Sequence, residues 1–407
     1  MLNPSRKHLA ELDVVRFWAF FAVFVFHAFR VYPAVISLPM GHVLFGASLI
    51  TKETGRFGVD LFFTLSAFLI TSLLVSEKED TGKLHLWRFY VRRMLRIWPL
   101  YFAVAFTMFG LAAWLHEPEL HSYFWPFVLL APNWAWVMLG TPHVQHAMFL
   151  SLMVFWSLGM EEQFYLIWPL LMRKSTLLGL RKAAWGMLAL SAIVRMICWA
   201  NDVPHPGIYA NTLAHLDPIG VGVLIAAEWA AFDRTQPGAS LRLRSLAHPI
   251  ALLAGIALFF LGGWMSVSGG INGPLFVFFG YPAVAWGGYL VLFHTLLNLR
   301  PESAGLAFRK LAYLGKISYG LYVFHGFVMV LTQPLAQWIT RSREGYWEMG
   351  FGQMGVNFLL ALAGTILLAH LSFTYYESYF LRMKSKFSGI KLSPVQETSN
   401  SLPANGS

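Results

Sequence analysis

The chain has 407 residues, 57% of them hydrophobic and 12% charged, with a net charge of +10. Soluble globular proteins carry roughly 25% charged residues, and long apolar runs recur along nearly the whole length here, which excludes an ordinary soluble domain and indicates an all-α polytopic membrane protein. Cys198 is the only cysteine, which excludes an internal disulfide, a cysteine-based metal cluster and a CxxC redox centre.

Apolar runs fall at 12–32, 57–76, 97–115, 122–140, 147–172, 183–200, 213–232, 248–266, 274–297, 313–338 and 353–380. Loop charge sorts them. Six basic residues lie in 77–96, four in 173–182, three in 233–247, three in 298–312 and four from Arg382 to Lys391, whereas 116–121, 141–146, 201–212 and 267–273 have neither Lys nor Arg. The run 122–140 breaks the alternation, because both flanks (HEPELH and TPHVQH) read as outside and it contains Pro126, Pro132 and Asn133. It is expected to be re-entrant or to lie at the outer face, shielded by protein. Ten transmembrane helices then remain, both termini are cytoplasmic, and only Arg30, Lys52, Arg56, Arg341 and Arg343 fall outside. The basic charge is thus explained by loops, without nucleic acid.

The domain is read as 1–384, with 385–407 a disordered cytoplasmic tail. No cleavable signal peptide is expected, since Ser5-Arg6-Lys7-His8 precedes no convincing cleavage site. No internal repeat is evident, and no polar stretch is long enough for an appended soluble domain.

Polar residues inside the spans carry the functional signal. Arg16 and His27 lie eleven residues apart in LDVVRFWAFFAVFVFH, which puts them on one helix face, about 16 Å apart in rise. A charge in a lipid-spanning helix costs at least ~2.5 kcal/mol on insertion scales, so it normally faces protein or a wet cavity. Arg16 falls toward the cytoplasmic end and His27 toward the outer half. Gly55, Gly58 and Asp60 open the second span, with Ser66 about two turns deeper. Ser66 suits close helix packing as well as a site, and Asp60 suits a helix N-terminus.

Arg93 and Arg96 share a face at the cytoplasmic entry of the third span. They fit lipid headgroups, or the phosphates of a nucleotide or coenzyme A. Glu161 and Glu162, in the middle of the fourth span, are adjacent, so only one can face a given site. One is expected to be protonated or paired with a buried arginine. Ser318 and His325 share a face seven residues apart, with Tyr319 between them. They are too far apart for a direct nucleophile–base pair, and interhelical hydrogen bonding is the plain alternative. His215 and Asp217 have similar weight. There is no GxGxxG, P-loop or HExxH, and the histidines do not cluster at zinc-ligand spacing, so no metal is expected.

Taken in order, LDVVRFWAFFAVFVFH, GVDLFFTLSAF, RRMLRIWP, WSLGMEEQFYLIWP and KISYGLYVFH resemble the motifs of the acyltransferase-3 family of membrane acyltransferases, over nearly the whole chain. Two departures stand out: Ala67 replaces a usual glycine, and Ser378 interrupts the element YYESYF. The resemblance implies transfer of an acyl group, acetyl by default, from cytosolic acyl-CoA to a hydroxyl of a cell-surface or lipid-linked glycan. It places the protein in a bacterial inner membrane. Arg93 and Arg96 would hold the coenzyme A phosphates. His27 would be general base or transient acyl carrier, with Glu161 orienting or protonating it, or pairing with Arg16. Asp60, Ser66, Tyr319 and His325 would complete the substrate site. Any second transfer step would be direct or need a partner protein. The acceptor, the acyl chain and a homo-oligomer stay open. A transporter or channel using Arg16, Glu161 and His27 as a proton or substrate path is the rival reading, and a non-catalytic scaffold is a third.

Overall fold

The computed structural model describes residues 10–29, 40–234, 245–298, 305–342 and 350–385. The basic flank at Arg6-Lys7-His8, Arg30, Arg343 and the tail from 386 lie outside them. The described chain is helical. The long helices are α1 (Ala10–Ala28), α2 (Gly41–Gly55), α3 (Gly58–Thr81) and α4 (Leu86–Trp114). Two short ones follow, α5 (His121–Val128) and α6 (Pro132–Leu139), and then α7 (Phe155–Met172), α8 (Leu177–Ala200), α9 (Asp217–Arg234), α10 (Pro249–Gly269) and α11 (Tyr281–Leu297). The last five are α12 (Leu306–Lys316), α13 (Ser318–Leu331), α14 (Gln333–Thr340), α15 (Phe351–Leu371) and α16 (Ser378–Ser385).

Among the described residues six helices are long and apolar enough to cross a membrane, or seven if α12 and α13, bent by 74°, count as one broken span. Helices α1, α7 and α9 have 19, 18 and 18 residues but fall outside that set. The reason is chemical: they carry Glu11, Asp13 and Arg16, Glu161 and Glu162, and Asp217 and Glu228. These helices sit inside the bundle, with α7 buried from Phe155 through Met160 and α9 from Asp217 through Ala227. Their polar groups face protein, where partners exist. The periphery is apolar instead: Ile193 and Ile197 on α8, Leu253 and Phe260 on α10, and Leu359 and Leu367 on α15 are all exposed. Exposed Trp87, Trp114, Trp125 and Trp338 lie near helix ends or on a short helix, as in an interfacial aromatic belt.

Two expectations about helices change. The run 313–338 is not one helix, because it breaks at Ile317 and again at Thr332. The stretch 41–55, which falls between the apolar runs 12–32 and 57–76, is helix α2 and continues toward α3 through a turn at Arg56–Phe57. Gly58 makes that join possible. A Cβ there would collide with the Ala19 carbonyl, so α3 can lie directly on α1 between Arg16 and His27.

The segment 122–140 is two eight-residue helices, each about 12 Å long and too short to cross. Its flanks are clamped together. Buried Glu117 accepts hydrogen bonds from the Gln145 and His146 amides, at 3.0 and 2.9 Å, and lies 2.8 Å from His146 Nδ1. Glu119 accepts one from the His143 amide at 2.7 Å. Entry and exit of the segment therefore meet. Its tip is anchored through Asn133, fully buried, which donates to the Ala210 carbonyl and the Thr212 hydroxyl and accepts from Gln163 Nε2.

Candidate active site

A cavity of about 580 Å³ opens among α1, α3, α4, α7, the end of α12, α13 and the π-helical stretch Ser372–Glu377 that leads into α16. Of the nine site residues expected from sequence, Arg16, Ser66, Arg93, Arg96, Glu161 and Tyr319 line it, whereas His27, Asp60 and His325 do not. Val59 and Leu73 of α3 both line it; fourteen residues of helix make it roughly 21 Å deep. One end is formed by the starts of α1, α4 and α13 and by Phe373 and Glu377 of the π-helical stretch, the ends the basic loops mark. The other end is closed by Val59, Phe62, Ser157 and Tyr322.

The cationic end holds Arg16, Arg93, Arg96 and Lys316, opposed by Asp13, Glu161 and Glu377. Arg16 forms its ion pair with Asp13, one turn earlier on the same helix. Of the alternatives open for Glu161, the pairing with Arg16 is not the one formed, because an i,i+3 carboxylate is nearer than one on another helix. The Arg93 guanidinium lies 5.5 Å from the Tyr165 ring centroid, and Lys316 lies 5.3 Å from that of Phe373. These aromatic faces hold the cations without neutralising them.

Glu161 and Glu162 separate as helix geometry requires. Glu161 turns into the cavity with the Ser66 and Tyr165 hydroxyls beside it, and those two hydroxyls are themselves hydrogen-bonded. Glu162 is buried and accepts from Trp98 Nε1 at 2.9 Å. Ser66 is thus more than a packing residue. Its neighbour Ala67 is buried against Gly222 of α9, which leaves room for the methyl group.

Beyond Tyr322 lies the second part of the site. The Tyr322 hydroxyl donates to the Val154 carbonyl at 3.0 Å and lies 2.7 Å from the Ser157 hydroxyl. Its carbonyl faces His325 Nδ1 at 2.6 Å. A carbonyl only accepts, so Nδ1 carries a proton. His325 Nε2 is buried with no partner among the described residues. The His325 and His27 ring centroids are 5.2 Å apart, and His27 is exposed. His27 and His325 therefore form a pair one turn past the end of the cavity.

Asp60 stands apart from both. Its Oδ1 lies 2.8 Å from His215 Nε2, and His215 Nδ1 lies 2.8 Å from the Tyr209 carbonyl. Nδ1 must donate to that carbonyl, so Asp60 and His215 share a further proton between them. Nearby, fully buried Arg195 pairs with Asp217 and donates to the Ala214 and Val277 carbonyls. Asp13, Tyr165, Tyr322 and Glu377 join the site without being singled out by the sequence. Their signal is the same as that of Arg16: a polar side chain at span depth. Arg195 gives this signal too, but the structure gives it a packing role.

No solved structure matches this chain. It is similar to the peptidoglycan O-acetyltransferase OatA of Listeria monocytogenes, 25% identical over 399 residues that cover 92% of this chain and 56% of that protein. It is also similar to a putative O-acetyltransferase of Staphylococcus aureus, 27% identical over 346 residues, 80% of this chain and 53% of the relative. A third, the O-acetyltransferase OatA of the same species, is 26% identical over 349 residues, 80% and 52%. The chain thus spans about half the length of the curated relatives it matches. The family model described as an acyltransferase domain matches residues 9–372, and so the chain belongs to the acyltransferase-3 family.

Proposed function

We propose that this chain is an integral membrane O-acyltransferase that takes an acyl group, acetyl by default, from cytosolic acyl-CoA. It delivers the group to a hydroxyl of a cell-surface or lipid-linked glycan at the outer face of a bacterial inner membrane. The observation that carries this reading is the cavity, in which four cations at one end lead past Glu161, Ser66 and Tyr165 to the turn before His325. Clustered guanidinium groups suit a multiply charged phosphate donor, and hydroxyl donors suit a thioester carbonyl. The relatives named as O-acetyltransferases support the acetyl group, and the one named for peptidoglycan supports a glycan acceptor.

In this reading Arg93 and Arg96 hold the coenzyme A phosphates, with Arg16 and Lys316 beside them. Glu161 orients the Ser66 and Tyr165 hydroxyls toward the thioester. His27 takes the proton of the acceptor hydroxyl as its oxygen attacks the acyl carbonyl, and the sulfur leaves to become the coenzyme A thiol. A hydroxyl is far too weak an acid to ionise unaided at neutral pH, so a base is required. A transient acyl-histidine at His27 is the variant of the scheme in which the group is carried first. Asp60, held by His215, lies off this path and is given no part in the transfer. The ten-span topology with cytoplasmic termini counts α1, α3, α4, α7 to α11, the α12–α13 pair and α15 as spans.

Purified protein in proteoliposomes, given acyl-labelled acyl-CoA inside and a glycan acceptor outside, is expected to release coenzyme A inside and label the acceptor outside. Acceptor labelling must be lost in His27→Ala. Movement of a small solute or protons with no acyl transfer would replace this reading by the transporter.

A further inference from the structure

Where α12 meets α15 an open groove lies outside the site described above. Its walls are Arg309, Lys310, Tyr313 and Leu314 of α12 and Ile366 and His370 of α15. The Tyr313 hydroxyl and His370 Nδ1 are 2.5 Å apart and join the two walls. Arg309 and Lys310 are exposed, and among the described residues no ion pair joins either to a carboxylate.

Three features point to the occupant. First, α12 is amphipathic: Leu311 and Leu314 pack against the cluster containing Phe17, Phe20 and Ile317, while Arg309, Lys310 and Tyr313 face outward. It meets α13 at 74°. Where the broken span enters the bilayer through α13, this bend turns α12 toward the plane of the cytoplasmic surface, near headgroup level. Second, the groove presents two cations and no acid, which suits a phosphate monoanion. Third, Leu359, Ala363, Ile366 and His370 follow one another at i+4, i+3 and i+4 on α15, with Leu359 and Ala363 exposed. From His370 in the groove wall to Leu359 this stripe spans roughly 16 Å, about half of a ~30 Å hydrocarbon core. A free phosphate has no use for such a track; a lipid tail within one leaflet does.

We infer that this groove is a binding site for an anionic phospholipid of the cytoplasmic leaflet, phosphate on Arg309 and Lys310 and acyl chain along the α15 stripe. The lipid also bears on the catalytic cavity, and this second consequence rests on the acyl-CoA reading. The last turn of α12 supplies Lys316 to the cavity wall, and Gly315 sits against the Asp13 backbone, beside the Arg16 pair. Pinning α12 by its outer face therefore holds Lys316 and Asp13 in place.

Native mass spectrometry of delipidated full-length protein, offered phosphatidylglycerol and phosphatidylcholine together, tests the site without any activity. Wild type is expected to retain phosphatidylglycerol preferentially. Arg309→Gln with Lys310→Gln should weaken that retention roughly thirty-fold, about five-fold per basic side chain. Tyr313→Phe and His370→Ala, which leave the fixed charge unchanged, should also weaken it. Equal retention of the two lipids by wild type, or full retention by the double variant, would overturn the site. An effect of the basic residues with none of Tyr313 or His370 would reduce it to surface potential, and displacement of the lipid by inorganic phosphate would overturn the lipid assignment. The coupling is read by acyl-CoA binding in vesicles. Wild type should bind more tightly than the double variant when phosphatidylglycerol is present and equally in phosphatidylcholine alone. Equality in both vesicles removes the coupling. No acyl-CoA binding by either protein removes the donor reading and leaves the lipid site standing.

Discussion

The imidazoles of His27 and His325 stand 5.2 Å apart, one exposed and one fully buried, although 298 positions separate them in the chain. The Tyr322 carbonyl fixes the tautomer of His325 through Nδ1, leaving Nε2 as an acceptor with no partner among the described residues. Tyr322 lines the deep end of the cavity. The pair is thus tied through one residue to the compartment that holds the cations, and the two parts of the site can be separated by mutation.

His27→Ala is expected to lower acyl transfer by a hundredfold or more, in the usual range for loss of a general base, with membrane expression unchanged. His325→Asn, which cannot reproduce the ring geometry, should give a smaller loss in the same assay. Full acylation of the glycan by the His27 variant, measured by mass spectrometry of the acceptor, would sink its assigned role.

Arg93→Gln and Arg96→Gln should act on donor affinity. A charge-assisted hydrogen bond is worth about 1.5–3 kcal/mol, so each change should raise the Kd for acyl-CoA by roughly tenfold or more. Glu161→Gln should instead lower kcat with the Kd little changed, because it touches the hydroxyls of Ser66 and Tyr165. Binding measured by calorimetry beside turnover distinguishes these; arginine variants with normal Kd would contradict the phosphate grip.

Packing against α1 gives a prediction independent of chemistry. A Cβ at Gly58 would meet the Ala19 carbonyl, and one at Gly315 the Asp13 carbonyl, whereas one at Gly110 meets nothing. Gly58→Val and Gly315→Val should each destabilise the protein by about 1–3 kcal/mol, read as a lower Tm in detergent. Gly110→Ala should be neutral or slightly stabilising. Equal Tm for all three variants would show that the close seating of α1 is not needed.

The clamp at Glu117 predicts acid sensitivity. Burial raises the Glu117 carboxyl, but its hydrogen bonds to His146 and to the Gln145 and His146 amides outweigh this and hold it below its ordinary value near 4.5. A carboxyl depressed in the folded state contributes stability above its unfolded value, and this is lost as pH falls through the folded one. The α5–α6 segment should therefore open to proteolysis below about pH 4.5, and in Glu117→Ala already at neutral pH. A segment equally protected in both proteins would contradict the clamp.

Topology is tested by single cysteines placed in Cys198→Ser protein. A cysteine at His143 and one at Glu119 should both react with an impermeant maleimide from outside, since Glu119 accepts from the His143 amide. One at Lys78 should react only after permeabilisation. Labelling of positions 119 and 143 from opposite sides would make 122–140 a spanning segment.

Sequence alone determined the class of this protein and singled out six of the polar residues that line the cavity. Apolar runs and loop charge are local properties, set by the cost of exposing backbone and charge to lipid, and they located nearly every long helix. A charged or polar residue at span depth is equally visible, and this is what marks Arg16, Arg93, Arg96, Ser66 and Glu161. Partnership was decided only in three dimensions. Periodicity could not say whether Arg16 would meet Asp13 or Glu161, which glutamate would turn to Trp98, or that Asp60 would be taken up by His215. Those outcomes depend on which helices pack together, and close seats such as Gly58 on Ala19 settle that. The bend at Ile317 was hidden for the same reason. Its flanks are both helical by pattern, and only packing of Leu311 and Leu314 into the α1 cluster turns α12 away from α13.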